Sequence, residues 1–107
     1  MGAAPVPALS TDARIAQILA AVPEIESVYI VKIGKMLAVY SLIESDHDER
    51  VIDAISDREF LIMGKFRNVR FDFNVIARHG RPVDEVMGRR SPVWQRQGDP
   101  CQAATSI

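Results

Sequence analysis

Apolar and polar positions divide the chain into five periodic stretches. Ile15, Ile18, Leu19 and Val22 recur at helical spacing and give one apolar stripe. Ser10 or Thr11 is placed to cap this first helix, Asp12 suits its positive end, and Pro23 ends it. Residues Ser27 to Ile43 then read as two β-runs around Gly34-Lys35. Gly34 suits the first central position of a two-residue type II′ loop, where φ is positive. Such a loop sets the register, with Ile33 opposite Met36, Val31 opposite Ala38 and Tyr29 opposite Tyr40.

These residues, with Leu42, form one apolar or aromatic face. The other face carries Val28, Ile30, Lys32, Leu37, Val39, Ser41 and Ile43 and is also mostly apolar. A half-solvated hairpin alternates apolar with polar, and this one hardly does. Both faces therefore need cover. Helices supply it on one side; on the other it must come from the C-terminal segment or from a second subunit.

A second helix is expected after the hairpin, with Ser45 as N-cap and Asp48 three residues on in the manner of a capping box. Val51, Ile52, Ile55 and Ile62 give its buried side. Phe60 to Met63 is apolar nearly all round, which predicts a buried helix end, and Gly64 fits the position just past it. Asn68 to Ala77 alternates cleanly, with Val69, Phe71, Phe73 and Val75 inward and Arg70, Asp72 and Asn74 outward, as in a third strand. It can run parallel beside Met36–Ile43 or antiparallel beside Ser27–Ile33. Pro82 opens a short helix through Met87, and Val93 to Arg96 is a short extended piece. The predicted fold is α+β in the order α-β-β-α-β: a three-stranded sheet, two helices on one face, and a C-terminal arm with a short helix. Residues 1–9 read as a flexible N-terminus, 10–97 as a single domain (core 10–78, arm 79–97) and 98–107 as a disordered tail.

Composition narrows the functional classes. The 107 residues are 48% hydrophobic and 25% charged with a net charge of -1, so bulk electrostatics do not make the chain a polyanion binder. The charge is divided, however. Residues 1–64 hold five basic and ten acidic residues, and residues 65–97 hold eight basic and three acidic. Such a split marks either a partner surface or internal pairing between the halves. The single cysteine, Cys101, makes no internal disulfide. The N-terminal stretch resembles no signal peptide or myristoylation site, and no run approaches the roughly 20 apolar residues of a membrane helix. The expectation is a cytoplasmic protein without membrane contact.

Candidate chemistry is sparse. The run Glu44, Asp46, His47, Asp48, Glu49 reads as helix capping with His47 facing solvent, because adjacent positions diverge. No metal site and no cofactor are expected. His79, in the loop after the third strand, is either a general base, a phosphate contact or simply exposed. With Arg78, Arg81 and the stripe Arg70, Asp72, Asn74, it makes the candidate binding set. Arg78, Arg81, Arg89, Arg90 and Arg96 around Trp94 form a basic arm suited to phosphates and stacked bases, although no RNA-binding signature accompanies it. Tyr29, Val31, Tyr40 and Trp94 are the interface candidates. No phosphate loop, nucleophile elbow or zinc-protease pattern occurs, so the residues lean away from an enzyme. The leading expectation is a self-associating interaction or regulatory module, a homodimer with a possible further protein partner. The alternatives are nucleic-acid or phosphate-ligand binding through the basic arm, and an enzyme or small-molecule binder at the end of the third strand.

Overall fold

The computed structural model describes residues 10–97; the flexible N-terminus expected at 1–9 and the tail at 98–107 lie outside the described residues. Helix α1 spans Thr11–Ala20, strands β1 and β2 span Ser27–Ile33 and Met36–Ile43, and helix α2 spans Glu49–Lys65. Strand β3 (Arg70–Ala77), helix α3 (Val83–Met87) and strand β4 (Trp94–Gln95) follow. The class is α+β, but the sheet has four strands, in the order β3-β2-β1-β4. The three-strand expectation fails by the extended piece in the arm, which pairs antiparallel with the start of β1, Ser27 with Gln95 and Val28 with Trp94. A two-residue strand shows no alternation, so its pairing left no pattern to read.

The hairpin has the register read from its loop, Ile33 with Met36 through Ser27 with Leu42. Gly34 has φ of +60° while Lys35 stays at negative φ, as a type II′ turn requires. Strand β3 takes the parallel option beside β2, Met36 with Arg70 through Ile43 with Ala77.

One face of the sheet lies under α1 and α2. Ile15, Leu19, Ile25, Ile55 and Ile62 are fully buried there with Val28, Val39 and Ile43, and Phe71, Phe73 and Val75 pack against them. Ser10 caps α1 by accepting from the Ala13 amide at 3.1 Å. The start of α2 differs from expectation. Asp48, not Ser45, is its N-cap, accepting from the Arg50 amide at 3.0 Å. The Ser45 hydroxyl instead accepts from the His47 amide at 3.2 Å. The far end differs too. The helix runs through Gly64 to Lys65, with Phe66 as C-cap. Of Phe60 to Met63 only Ile62 is buried, and Phe60 is 69% exposed. Of the four, Ile62 alone continues the stripe of Val51 and Ile55, and its neighbours are exposed among the described residues.

The other face can be read as four rows of aligned residues. They are Ile33–Met36–Arg70, Val31–Ala38–Asp72, Tyr29–Tyr40–Asn74 and Ser27–Leu42–Ile76. Met87 of α3, with Val86, packs on Tyr29, Tyr40, Leu42 and Ile76. The arm thus covers the last two rows. The first two lie beyond that cluster, and Ile33 is 51% exposed.

Two positions sit awkwardly on the helix-covered side. Ser41, on β2 between Val28 and Val75, is 1% exposed and its hydroxyl has no partner among the described residues. Burying an unpaired hydroxyl costs about 1–3 kcal/mol. Ser41→Ala is therefore expected to raise stability by about 1 kcal/mol, read from the urea midpoint at constant slope; a fall would mean that the hydroxyl is satisfied. Glu59 lies on the α2 stripe between Ile55 and Ile62, half-buried, and desolvation pushes its carboxyl above the ordinary value. A carboxyl with a raised folded pKa opposes folding at pH 7, and that cost fades as pH falls through the folded value. Glu59→Gln should stabilise the protein modestly at neutral pH and not at all near pH 3 (about one unit below a free carboxyl). An equal effect at both pH values would show that the charge is not its cause.

Candidate functional site

Because β2 and β3 are parallel, their carboxyl ends lie side by side. The ladder continues past both strands: the Arg78 amide donates to the Ile43 carbonyl at 2.9 Å and the His79 amide to the Glu44 carbonyl at 2.8 Å. This pairing sets the loop before α2 against the residues that follow β3. Open α/β sheets commonly bind ligands beyond the carboxyl ends of their strands. Here that region holds an open groove of about 980 Å³, lined by Glu26, Glu44, His47, Asp48, Arg78 and Arg96 among others.

Arg78 is the most heavily bonded side chain there. Its Nε and Nη2 donate to the two Glu26 carboxylate oxygens at 2.7 and 3.0 Å, a bidentate fork. Nη2 also lies 3.0 Å from Glu44 Oε1, and Nη1 donates to the Arg81 carbonyl at 3.2 Å. The Glu26 hydrogen bond raises the Arg78 pKa further above its usual value. With its donors taken up, Arg78 is a clamp between the start of β1, the end of β2 and the end of β3. Arg81 returns a bond to the Arg78 carbonyl at 3.1 Å.

His79 has φ of +49°, in the left-handed region. Its Nε2 is 3.4 Å from Asp46 Oδ1, and its ring centroid is 5.6 Å from that of His47. Donor atoms of Asp46, His47 and His79 all lie within 4.8 Å of one another, and all three residues are exposed. Asp48 is engaged elsewhere: the Arg50 guanidinium, hydrogen-bonded to it, holds its carboxyl below the usual range. The acidic run does cap α2 through Asp48, and His47 is exposed, yet the same loop meets the second histidine.

The candidate binding set separates in space. Arg78, His79 and Arg81 follow the end of β3 at the groove. Arg70, Asp72 and Asn74 lie in the first five residues of β3, on the face away from α1 and α2. Asn74 donates to Asp72 Oδ2 at 3.3 Å. The interface candidates separate as well. Tyr29 is 3% exposed beneath Met87, Tyr40 and Val31 are half-buried, and Trp94 packs on the helix-covered side. Three arginines of the basic arm bond within the chain, although only Arg78 is half-buried and the others are exposed. Arg96 donates to the carbonyls of Ile25, Ala20 and Val22 at 3.0, 2.9 and 3.1 Å, and its guanidinium lies 4.9 Å over the Trp94 ring. With Arg78 and Arg81 also bonded internally, Arg89 and Arg90 are left exposed in the arm.

Sequence reasoning missed the Asp46–His47–His79 cluster. Its one signal is that the two histidines follow the second and third strands, and only parallel pairing brings those ends together. None of the described helices is long and apolar enough to cross a membrane. In comparisons with known proteins the chain matches no family model, no curated protein and no solved structure at a significant level.

Arg96 satisfies carbonyls at the end of α1 and in the loop that follows it, from more than 70 positions away. Arg96→Ala should cost about 1–3 kcal/mol, and Arg96→Lys should recover only part of it, since one ammonium cannot reproduce the planar fork. Chemical denaturation of the three proteins measures this; full rescue by lysine would reduce the role to charge alone.

Proposed function

We propose that the protein is a small self-associating interaction module whose partner is a second copy of itself. The observation that carries this reading is the pair of rows beyond α3, Ile33–Met36–Arg70 and Val31–Ala38–Asp72, where Ile33, Arg70 and Asp72 are exposed, Val31 and Met36 half-buried and only Ala38 fully buried. Each row runs from apolar side chains to one exposed charge, and the two charges have opposite sign. A surface with that layout is complementary to itself. In a two-fold arrangement Arg70 of each copy meets Asp72 of the other while the apolar ends stack.

Size sets the expected strength. Two rows across three strands span roughly 7 by 10 Å between outer Cα atoms, well below a standard interface of about 800 Å² per partner. The association is accordingly weak and reversible. A partner that adds contacts outside these rows would bind more tightly, which is how such a module works in a larger assembly.

Sedimentation from low to high micromolar concentration tests the proposal. The expected result is a monomer–dimer equilibrium that Ile33→Glu abolishes and Arg70→Glu weakens, with Arg70→Glu/Asp72→Arg restoring it because the exchange keeps the complementarity. Phe60→Ser, on the exposed end of α2, should leave the equilibrium unchanged. A monomer throughout, or a dimer lost in Phe60→Ser and retained in Ile33→Glu, overturns the assignment.

A further inference from the structure

The chain has two histidines among its 107 residues. They lie far apart in sequence and come together at the carboxyl ends of β2 and β3, with Asp46 between them in reach. From this geometry we infer that Asp46, His47 and His79 form a binding site for a divalent transition-metal ion.

Three observations carry the inference. The first is donor chemistry: two imidazoles and one carboxylate suit zinc, nickel, cobalt or copper, whereas magnesium and calcium prefer an all-oxygen shell. The second is spacing. Two ligands of a tetrahedral ion with bonds of about 2.0–2.1 Å stand about 3.3 Å apart. His79 Nε2 and Asp46 Oδ1 are 3.4 Å apart already. The other separations are within 4.8 Å, and the three side chains are exposed, which leaves them room to rotate toward a common ion. The third is the disposition of the surrounding charges. Glu26 and Glu44 are committed to Arg78, and Asp48 to Arg50. Asp46 has no guanidinium partner among the described residues; its side-chain neighbour is His79, an imidazole that can serve as a ligand.

The backbone around the trio is tied down. The His79 amide is held by the Glu44 carbonyl at 2.8 Å and the His47 amide by the Ser45 hydroxyl at 3.2 Å. Three protein ligands leave at least one coordination position for water or a ligand. His47 also lines the groove, so that position has a bounded space beside it. The trio lies at loop ends and not among the open rows of the sheet, and the site does not depend on self-association.

The test is calorimetric titration of the full chain carrying Cys101→Ser, which removes the one thiol that could bind metal on its own. Zinc and cobalt chlorides are the probes and magnesium chloride the control. The expected result is one equivalent of zinc or cobalt at micromolar affinity, a visible cobalt absorption band, and no magnesium binding. His79→Asn (asparagine tolerates the positive φ), His47→Gln and Asp46→Asn should each weaken zinc by at least about tenfold, while circular dichroism shows each folded. No binding tighter than millimolar, or binding that all three substitutions leave unchanged, overturns the site.

Discussion

The structure depends on one constraint: a hairpin that is apolar on both faces has to be covered on both. Strands β1 and β2 supply fully buried residues to either side, Val28, Val39 and Ile43 to one and Ala38 and Leu42 to the other. Two helices satisfy the first demand because α1 and α2 each bring a stripe of aliphatic residues. The second demand is met by a helix of five residues, Val83–Met87, and therefore only in part. The arrangement of the arm, the exposure of Ile33 and the open rows all follow from that mismatch between the apolar surface presented and the cover available.

The parallel pairing of β2 with β3 is the second determinant. Antiparallel pairing beside β1 would have brought the residues after Ala77 out at the same end of the sheet, but next to the start of β1, with that strand between them and the loop after β2. Parallel pairing instead delivers Arg78 and His79 to the loop that carries Glu44, Asp46 and His47, through amide bonds that extend the strand ladder. The division of charge along the sequence then resolves into particular contacts. Arg78 meets Glu26 and Glu44, and Arg96 meets backbone carbonyls near the end of α1. Among the described residues Arg78 is the only arginine or lysine of the basic segment that pairs with acids of the first half.

How much of this was legible follows from where the information sits. The hairpin register was readable because one glycine and a two-residue loop leave no alternative. The α1 stripe and the alternation of β3 were readable because periodicity is a local property. The Ser45 cap failed because Ser45 and Asp48 both satisfy local capping chemistry, and the choice between them depends on where the loop must meet His79. Phe60 to Met63 misled because a fully apolar run does not say which of its residues has a neighbour. Trp94 was named an interface candidate on character alone, and its place on the helix-covered side is set by pairing with Val28, a contact across most of the chain. The histidine cluster needed the choice between parallel and antiparallel, which the residues of β3 left open.

The partial cover of the second face is built into the chain. Five helical residues are about 7.5 Å long, little more than the spacing of two rows along a strand, and α3 covers two rows. The helix stops at Gly88, whose φ of +68° and ψ of -143° lie where a residue with a side chain is strongly disfavoured. From there the chain turns back to add β4 at the edge of β1, and Arg96 fastens it. The two rows beyond the α3 cluster are therefore not covered by this helix. The residues on those rows are suited to being left open, since Arg70 and Asp72 keep a solvated charge beside Ile33 and Met36 and discourage indiscriminate edge pairing. Under the self-association proposed above, a face half sealed by its own arm and edged with charges of both signs is suited to meeting a second copy reversibly.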